Sequence, residues 1–242
     1  MAPARPFLTA RWEHLVLLSY PCPSHLLAPL VPSGTELEAW QGETLVSLVG
    51  FMFADTRLMG IPIPFHRTFE EVNLRFYVRR RAVDGTVRRA VVFIRELVPR
   101  RAIAAMAKWT YHEPYLAVPM SHDVTLSGDH GGAVTYGWCY AGASFALHAQ
   151  VSGPARALVP GSEAEFITEH YWGYTRQRDG GTIEYQVEHP PWHVWSADAA
   201  HFDGPGAQLY GEAFGALLMH PPTSAFVAVG SAVSVHAGRR LA

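Results

Sequence analysis

The chain has 242 residues, 49% hydrophobic and 17% charged. That balance excludes a disordered chain and allows one large globular domain or two small ones. A formal net charge of −2 supplies no global basic field of the kind nucleic-acid binding needs.

The opening stretch "MAPARPFLTARW" contains no apolar segment of signal-peptide length, and no apolar run approaches ~18 residues. The expectation is a soluble cytoplasmic protein without a membrane span. Cys22 and Cys139 have neither metal nor redox spacing, and a disulfide between them is not expected. "TLVSLVGFMFA" (44–54) reads as a buried strand, rich in Val and Phe. Residues 67–81 alternate: Val72, Leu74, Phe76 and Val78 share one side, and Glu71, Asn73, Arg75 and Tyr77 the other. "DGT" at 84–86 is a turn signal and 88–98 returns, so 67–98 is a predicted hairpin. The basic runs Arg79-Arg80-Arg81 and Arg88-Arg89 flank that turn and read as a solvated tip.

Pro99 opens a predicted helix over "RRAIAAMAKW", with Ile103 and Met106 inward. Residues 120–152 alternate around glycine-rich turns and predict two or three antiparallel strands. At 161–174 a capping box starts a helix: Ser162 can accept from the Glu165 amide while Glu165 reaches back. Residues 180–189 form a further predicted strand, stopped by Pro190-Pro191. A short helix over 211–219 and a closing strand over 223–237 complete the chain. The sum is α+β, built on a large, mostly antiparallel sheet, curled or closed as a barrel. A two-domain alternative would need its boundary near 155–162.

Four features can carry chemistry. The Glu71–Asn73–Arg75–Tyr77 face either meets water or lines a pocket able to bind a carboxylate or enolate and move protons. Lys108, the only lysine against 18 arginines, is either a neutralised amine nucleophile or a cation complementing the end of its helix. His112 and Glu113 are neighbours before Pro114, whose ring favours an extended backbone at Glu113, so the two side chains diverge. His189 and His193 in "HPPWH" cannot share a helical face across two prolines. His66, His112, His122 and His148 fall on separate elements, so no metal site is signalled. No GxGxxG before a helix, P-loop or GxSxG occurs, and no cofactor is expected.

Several stretches together resemble the YqjF-like family of unknown function, domain of unknown function 2071. They are the opening "RWEHLVLLSYPCPSHLLAPLVPSGTELEAWQGETLVSLVGFMF", "TFEEVNLRFYV", "HEPYLAVPM", "FITEHYWGY" and "VEHPPWHVWSA". The resemblance spans about residues 10–200. It departs at His170, where the family's Thr-Glu-Arg-Tyr element has Arg, and in "VVFIREL", where the family has an aromatic-rich strand. The family is grouped with the acetoacetate decarboxylase-like superfamily. The resemblance therefore implies one domain over 1–242, a double-sheet, cone-like β-barrel with flanking helices and an internal pocket. It moves Glu71 and Arg75 toward that pocket.

The resemblance also bears on Lys108. The decarboxylases follow an aromatic-Pro pair with two lysines, one forming a Schiff base and the other depressing its pKa, and acetoacetate decarboxylase is the standard example of that device. Here Tyr115 and Leu116 follow Pro114, and Lys108 lies seven residues upstream of Tyr115. What is implied is an enzyme without imine chemistry, not an acetoacetate decarboxylase, dehydrating, isomerising or cyclising a carbonyl or polyketide-like substrate. Glu71 would be the acid/base, Arg75 would hold an anionic oxygen, and Tyr115 or Tyr77 would donate to an enolate. Asn73, Tyr77, His112 and His189 are the candidate binding residues. The alternatives are a barrel that binds a small ligand without turnover, and a structural role for the polar face as an internal Glu71–Arg75 ion pair. A small molecule is the expected partner, and an exposed sheet edge leaves homo-oligomerisation open.

Overall fold

The computed structural model describes residues 5–63, 67–99 and 114–241. In chain order the strands are β1 (Leu8–Pro21), β2 (Glu36–Leu37), β3 (Leu45–Leu58), β4 (Ile61–Pro62), β5 (Phe69–Arg81) and β6 (Val87–Val98). Then come β7 (Tyr115–Ala117), β8 (Met120–Val124), β9 (Gly131–Tyr140), β10 (Ala143–Ser152), β11 (Arg156–Ala157) and β12 (Trp172–Arg176). The last are β13 (Thr182–Glu188), β14 (His193–Ser196), β15 (Ala199–Asp203), β16 (Ser224–Val235) and β17 (Arg239–Arg240). Helices are short: Ser24–Leu27, Glu163–Thr168, Gly206–Tyr210 and Glu212–Leu218. None among the described residues is long and apolar enough to cross a membrane.

The larger sheet pairs in the order β16-β1-β3-β5-β6-β12-β13, and β13 pairs back to β16, so its hydrogen bonding runs in a closed cycle. The described pairings are antiparallel except β6 with β12 and β6 with β7. The smaller sheet, β15-β10-β9-β8, covers one flank. Its Tyr136, Trp138 and Leu147 pack with Val72, Leu74 and Phe76 of β5 in one apolar core. Leu48 and Leu74 there are fully buried, each stabilising the fold by about 1.5–3 kcal/mol. Gly50 sets the spacing, because a Cβ on it would lie 2.7 Å from the Tyr136 ring and 2.8 Å from Leu147. A second apolar cluster, with Phe51, Phe53, Phe69 and Trp192, fills the inner side.

The 67–98 hairpin forms as β5 and β6, and 120–152 gives the three antiparallel strands β8, β9 and β10. Both cysteines are free. The capping box holds in part. Ser162 Oγ accepts from the Glu165 amide at 3.2 Å, while the Glu165 carboxylate accepts from Gly161 N–H at 2.7 Å rather than from Ser162. The helix ends at Thr168, because the chain from Trp172 is drawn into β12 beside β6.

The solvated hairpin tip is corrected. Arg79 and Arg81 are exposed, but Arg80 and Arg88 turn inward onto Glu184, whose side chain is fully buried. Arg89 pairs with Glu38 at 2.7 Å. The predicted helix at 100–109, Lys108 included, lies outside the described residues, as do His66, His112 and Glu113.

Candidate active site

The inner side encloses a cavity of about 130 Å³. A water needs ~10–15 Å³ on a comparable measure, and an engineered apolar cavity of ~150 Å³ takes benzene. The space therefore suits a single-ring molecule.

Strand register stacks the lining in levels. Trp12, Phe53 and Phe69 pair across β1, β3 and β5 as one aromatic row. Below it lie Phe51 and Glu71, then Val49 and Asn73, with Asn73 opposite Glu96 and Glu96 opposite Tyr115 on β7. Arg75 and Phe93 form the next level. Phe53 stacks on Phe69 with centroids 4.7 Å apart, and Trp12 meets Phe51 edge-on at 5.2 Å. Aromatic pairs of this geometry hold a rigid apolar wall.

Glu71 and Asn73 are 3% and 2% exposed. Asn73 Nδ2 donates to Glu71 Oε1 at 3.1 Å, and the Tyr115 hydroxyl donates to Glu71 Oε2 at 3.3 Å. A buried carboxylate with donors on both oxygens, facing a largely aromatic cavity, can exchange protons with a bound molecule. Arg75 donates through Nη2 to the Ile167 carbonyl at 3.2 Å, and its guanidinium lies 5.8 Å from the Tyr77 ring.

His170 closes the deep end. Its side chain is 1% exposed and its Nε2 lies 3.2 Å from Glu38 Oε2. Burial drives its pKa down to about 4, against the pull of the Glu38 hydrogen bond. On Glu38, burial pushes the carboxyl up, but the hydrogen bonds and charges of His170 and Arg89 outweigh it and hold the group below its ordinary range. A neutral imidazole beside an ionised carboxylate carries its proton on Nε2, which leaves Nδ1 as an acceptor. Among the described residues, buried polar atoms of the lining without a hydrogen bond include the donors Trp12 Nε1 and Arg75 Nε, and the acceptors Asn73 Oδ1 and His170 Nδ1.

Of the residues singled out from sequence, Glu71, Asn73, Arg75, Tyr115 and His189 line this cavity. Tyr77 does not. Its hydroxyl joins a buried chain, 2.6 Å from Ser47 Oγ, which is 2.8 Å from Ser19 Oγ. His189 stacks on Trp192 at 4.1 Å near the Trp12 row, its Nδ1 3.0 Å from the Pro190 carbonyl. Burial holds its pKa below the ordinary value. His112 lies outside the described residues. His122 pairs with Glu70 and His148 bonds Thr135, both away from the cavity. No cluster of three His, Cys, Asp or Glu suited to a metal ion occurs among the described residues.

Sequence reasoning missed Glu96, which is 1% exposed. Between Leu74 opposite Arg95 and Arg75 opposite Phe93 the ladder skips Ile94, a β-bulge. The bulge shifts the alternation, so Phe93 and Glu96 both line the cavity. Strict period two would have put Arg95 there instead. His170 was visible only as a departure from the resembled motif.

The model of DUF2071, an uncharacterized conserved protein, matches residues 9–232. The uncharacterized protein YqjF of Bacillus subtilis is 29% identical over 190 residues, 78% of this chain and 75% of that protein. Among solved structures, acetoacetate decarboxylase from Legionella pneumophila aligns with a TM-score of 0.67 at 15% identity, covering 99% of this chain and 88% of the other. An acetoacetate decarboxylase-like enzyme from Sphingomonas wittichii aligns at 0.64 and 13% identity, covering 98% and 94%. At such identities the likeness establishes the fold, the acetoacetate decarboxylase-like arrangement of a large and a smaller sheet.

Proposed function

We propose a function from one premise: the chain belongs to the DUF2071 family of uncharacterized conserved proteins. It is a small-molecule enzyme that moves protons on a carbonyl compound without forming an imine. Glu71 takes a proton from the carbon next to the carbonyl. The C–H electron pair passes into an enolate, whose oxygen accepts the Tyr115 hydrogen bond that Glu71 gives up as it becomes protonated. Arg75 holds a further oxygen of the substrate at the deep end. Returning the proton to a different carbon isomerises the substrate, and returning it to a departing hydroxyl dehydrates it.

The observation that carries this reading is the buried Glu71, bonded by Asn73 and Tyr115 within a largely aromatic cavity. The enzymes that share the fold support it. The imine-free chemistry rests on Pro114-Tyr115-Leu116, which stands where the resembled decarboxylases carry their lysines. A protein that holds a ligand without turnover is the second reading, favoured by the aromatic row of Trp12, Phe53 and Phe69.

The test is α-proton exchange in D₂O, followed by NMR over a panel of small ketones and 2-oxo acids. The expected result is exchange of at least one compound by the wild type and a loss of about 10²–10⁴-fold in Glu71→Gln. Exchange of none favours the non-catalytic reading, and undiminished exchange in Glu71→Gln removes Glu71 from the chemistry. Borohydride treatment with substrate is expected to add no mass to the protein. A substrate-sized adduct on Lys108 would restore imine chemistry.

A further inference from the structure

The deep end of the cavity points to what the substrate carries. Arg75 and His170 flank the same ring: the Arg75 guanidinium is 5.8 Å from the centroid of Tyr77, and the His170 ring is 4.7 Å from it. Each contributes a buried atom without a hydrogen bond, Arg75 Nε as donor and His170 Nδ1 as acceptor. The acceptor character of Nδ1 follows from the Glu38 contact on Nε2. Glu38 is itself tied to Arg89, which also donates to the Phe166 carbonyl. A buried donor and a buried acceptor that line the same cavity can both be satisfied by a single hydroxyl, which accepts and donates at once. A carboxylate would satisfy Arg75 but leave Nδ1 facing lone pairs. An ammonium would satisfy Nδ1 but face the guanidinium.

The reactive carboxylate lies elsewhere. Glu71 and Arg75 are four residues apart on β5, or ~13 Å of strand. Between them the register places Asn73 opposite Glu96, and the rest of the wall is apolar, with Val49, Phe51, Leu15 and Phe93. The free volume of about 130 Å³ is that of one flat ring.

Resting on the reading of Glu71 as the proton-transfer group, we infer that the substrate class is a ring-sized compound with a carbonyl at one end and a hydroxyl at the other. The simplest such compound is a para-hydroxyaryl ketone. Its hydroxyl donates to His170 Nδ1 and accepts from Arg75 Nε, and its carbonyl end lies against Glu71 and Tyr115. His170 is then the residue that selects the hydroxyl.

Four probes test this by calorimetric titration of the wild-type protein: 4′-hydroxyacetophenone, 4′-methoxyacetophenone, 3′-hydroxyacetophenone and acetophenone. The methoxy compound can accept from Arg75 but cannot donate to His170, and the 3′ isomer has the hydroxyl at the wrong distance. The 4′-hydroxy compound is expected to bind roughly 3- to 10-fold more tightly than each of the others, the worth of one net hydrogen bond. Equal binding of the methoxy or 3′ compound, or no binding of any probe at millimolar concentration, would overturn the inference. In His170→Phe, checked for folding by circular dichroism, the advantage of 4′-hydroxyacetophenone over acetophenone is expected to vanish. A retained advantage would also overturn it, and if that variant does not fold the wild-type series still decides. The titration reads affinity, not turnover. Hydroxyl selection without α-proton exchange on any carbonyl would therefore sink the proposed enzyme and keep this site, and exchange without hydroxyl selection would do the reverse.

Discussion

Two buried polar clusters share the closed sheet, and they differ in saturation. At Glu184 every oxygen is engaged: Oε1 accepts from Arg88 at 2.6 Å and from Arg239 at 2.7 and 2.9 Å, while Oε2 accepts from Tyr174 at 2.7 Å and Arg80 at 3.4 Å. In the cavity, Asn73, Arg75 and His170 each keep a buried polar atom without a hydrogen bond. Burying a polar atom without a partner costs free energy, so a saturated cluster reads as structure and an unsaturated one as a place for a ligand. The Glu184 cluster ties β17 and the β5–β6 hairpin to β13. The cavity cluster also makes long-range links, Tyr115 to Glu71, His170 to Glu38 and Arg75 to the Ile167 carbonyl, but it leaves those buried atoms unbonded.

The comparison breaks first if Glu184 is dispensable. Glu184→Ala strands Arg80, Arg88 and Tyr174 and is expected to cost about 3–5 kcal/mol in urea unfolding, with unchanged probe affinities in the cavity. A loss under about 1 kcal/mol would deny the cluster its structural role.

Acidification separates the two clusters along the pH axis. His170 titrates near 6.5 when unfolded and is held down to about 4 when folded, so the unfolded chain binds its proton first and stability falls as pH drops from 6.5 toward 4. The expected loss in that window is on the order of 2–3 kcal/mol, and His170→Phe should remove most of it. At Glu184 burial pushes the carboxyl up, but the hydrogen bonds from Tyr174, Arg239 and Arg88 win and hold it below its ordinary value. Its stabilisation is present above about pH 4.5 and is lost as pH falls further. Urea midpoints at half-unit pH intervals would show the two stages. A single stage, unaltered in His170→Phe, would contradict the assignment.

A smaller effect sharpens the boundary of the site. Tyr77→Phe breaks the Tyr77–Ser47–Ser19 hydroxyl chain and is expected to cost about 1–2 kcal/mol, with no change in probe affinity, because Tyr77 does not line the cavity. The smallest effect belongs to the surface. Arg79→Ala removes an ion pair with Glu36 in which both side chains are more than half exposed, and under about 1 kcal/mol should be lost, less in high salt.

How much of this was legible in sequence depended on how local its cause is. The β5–β6 hairpin was readable because its period-two pattern and its turn lie within 32 residues. The same pattern named Glu71, Asn73 and Arg75 together but could not say which side faced inward; the closed pairing of the sheet decides that. Glu96 was hidden by a one-residue bulge that leaves no mark in an alternating string. The inward turn of Arg80 and Arg88 was illegible because its cause, Glu184, is about a hundred residues away. The helix begun at Ser162 stops at Thr168 for a similar reason, since β12 is recruited by a strand far upstream.

The central claim is that the unsaturated cluster does chemistry and the saturated one holds the fold. The most direct measurement compares Glu71→Gln with Glu184→Gln, reading α-proton exchange and urea stability on each. Glu71→Gln is expected to lose about 10²–10⁴-fold in exchange rate with stability within about 1–2 kcal/mol of wild type. Glu184→Gln is expected to lose stability while its folded fraction exchanges at the wild-type rate. Full exchange activity in Glu71→Gln, or a stability loss at Glu71 as large as that at Glu184, would contradict it.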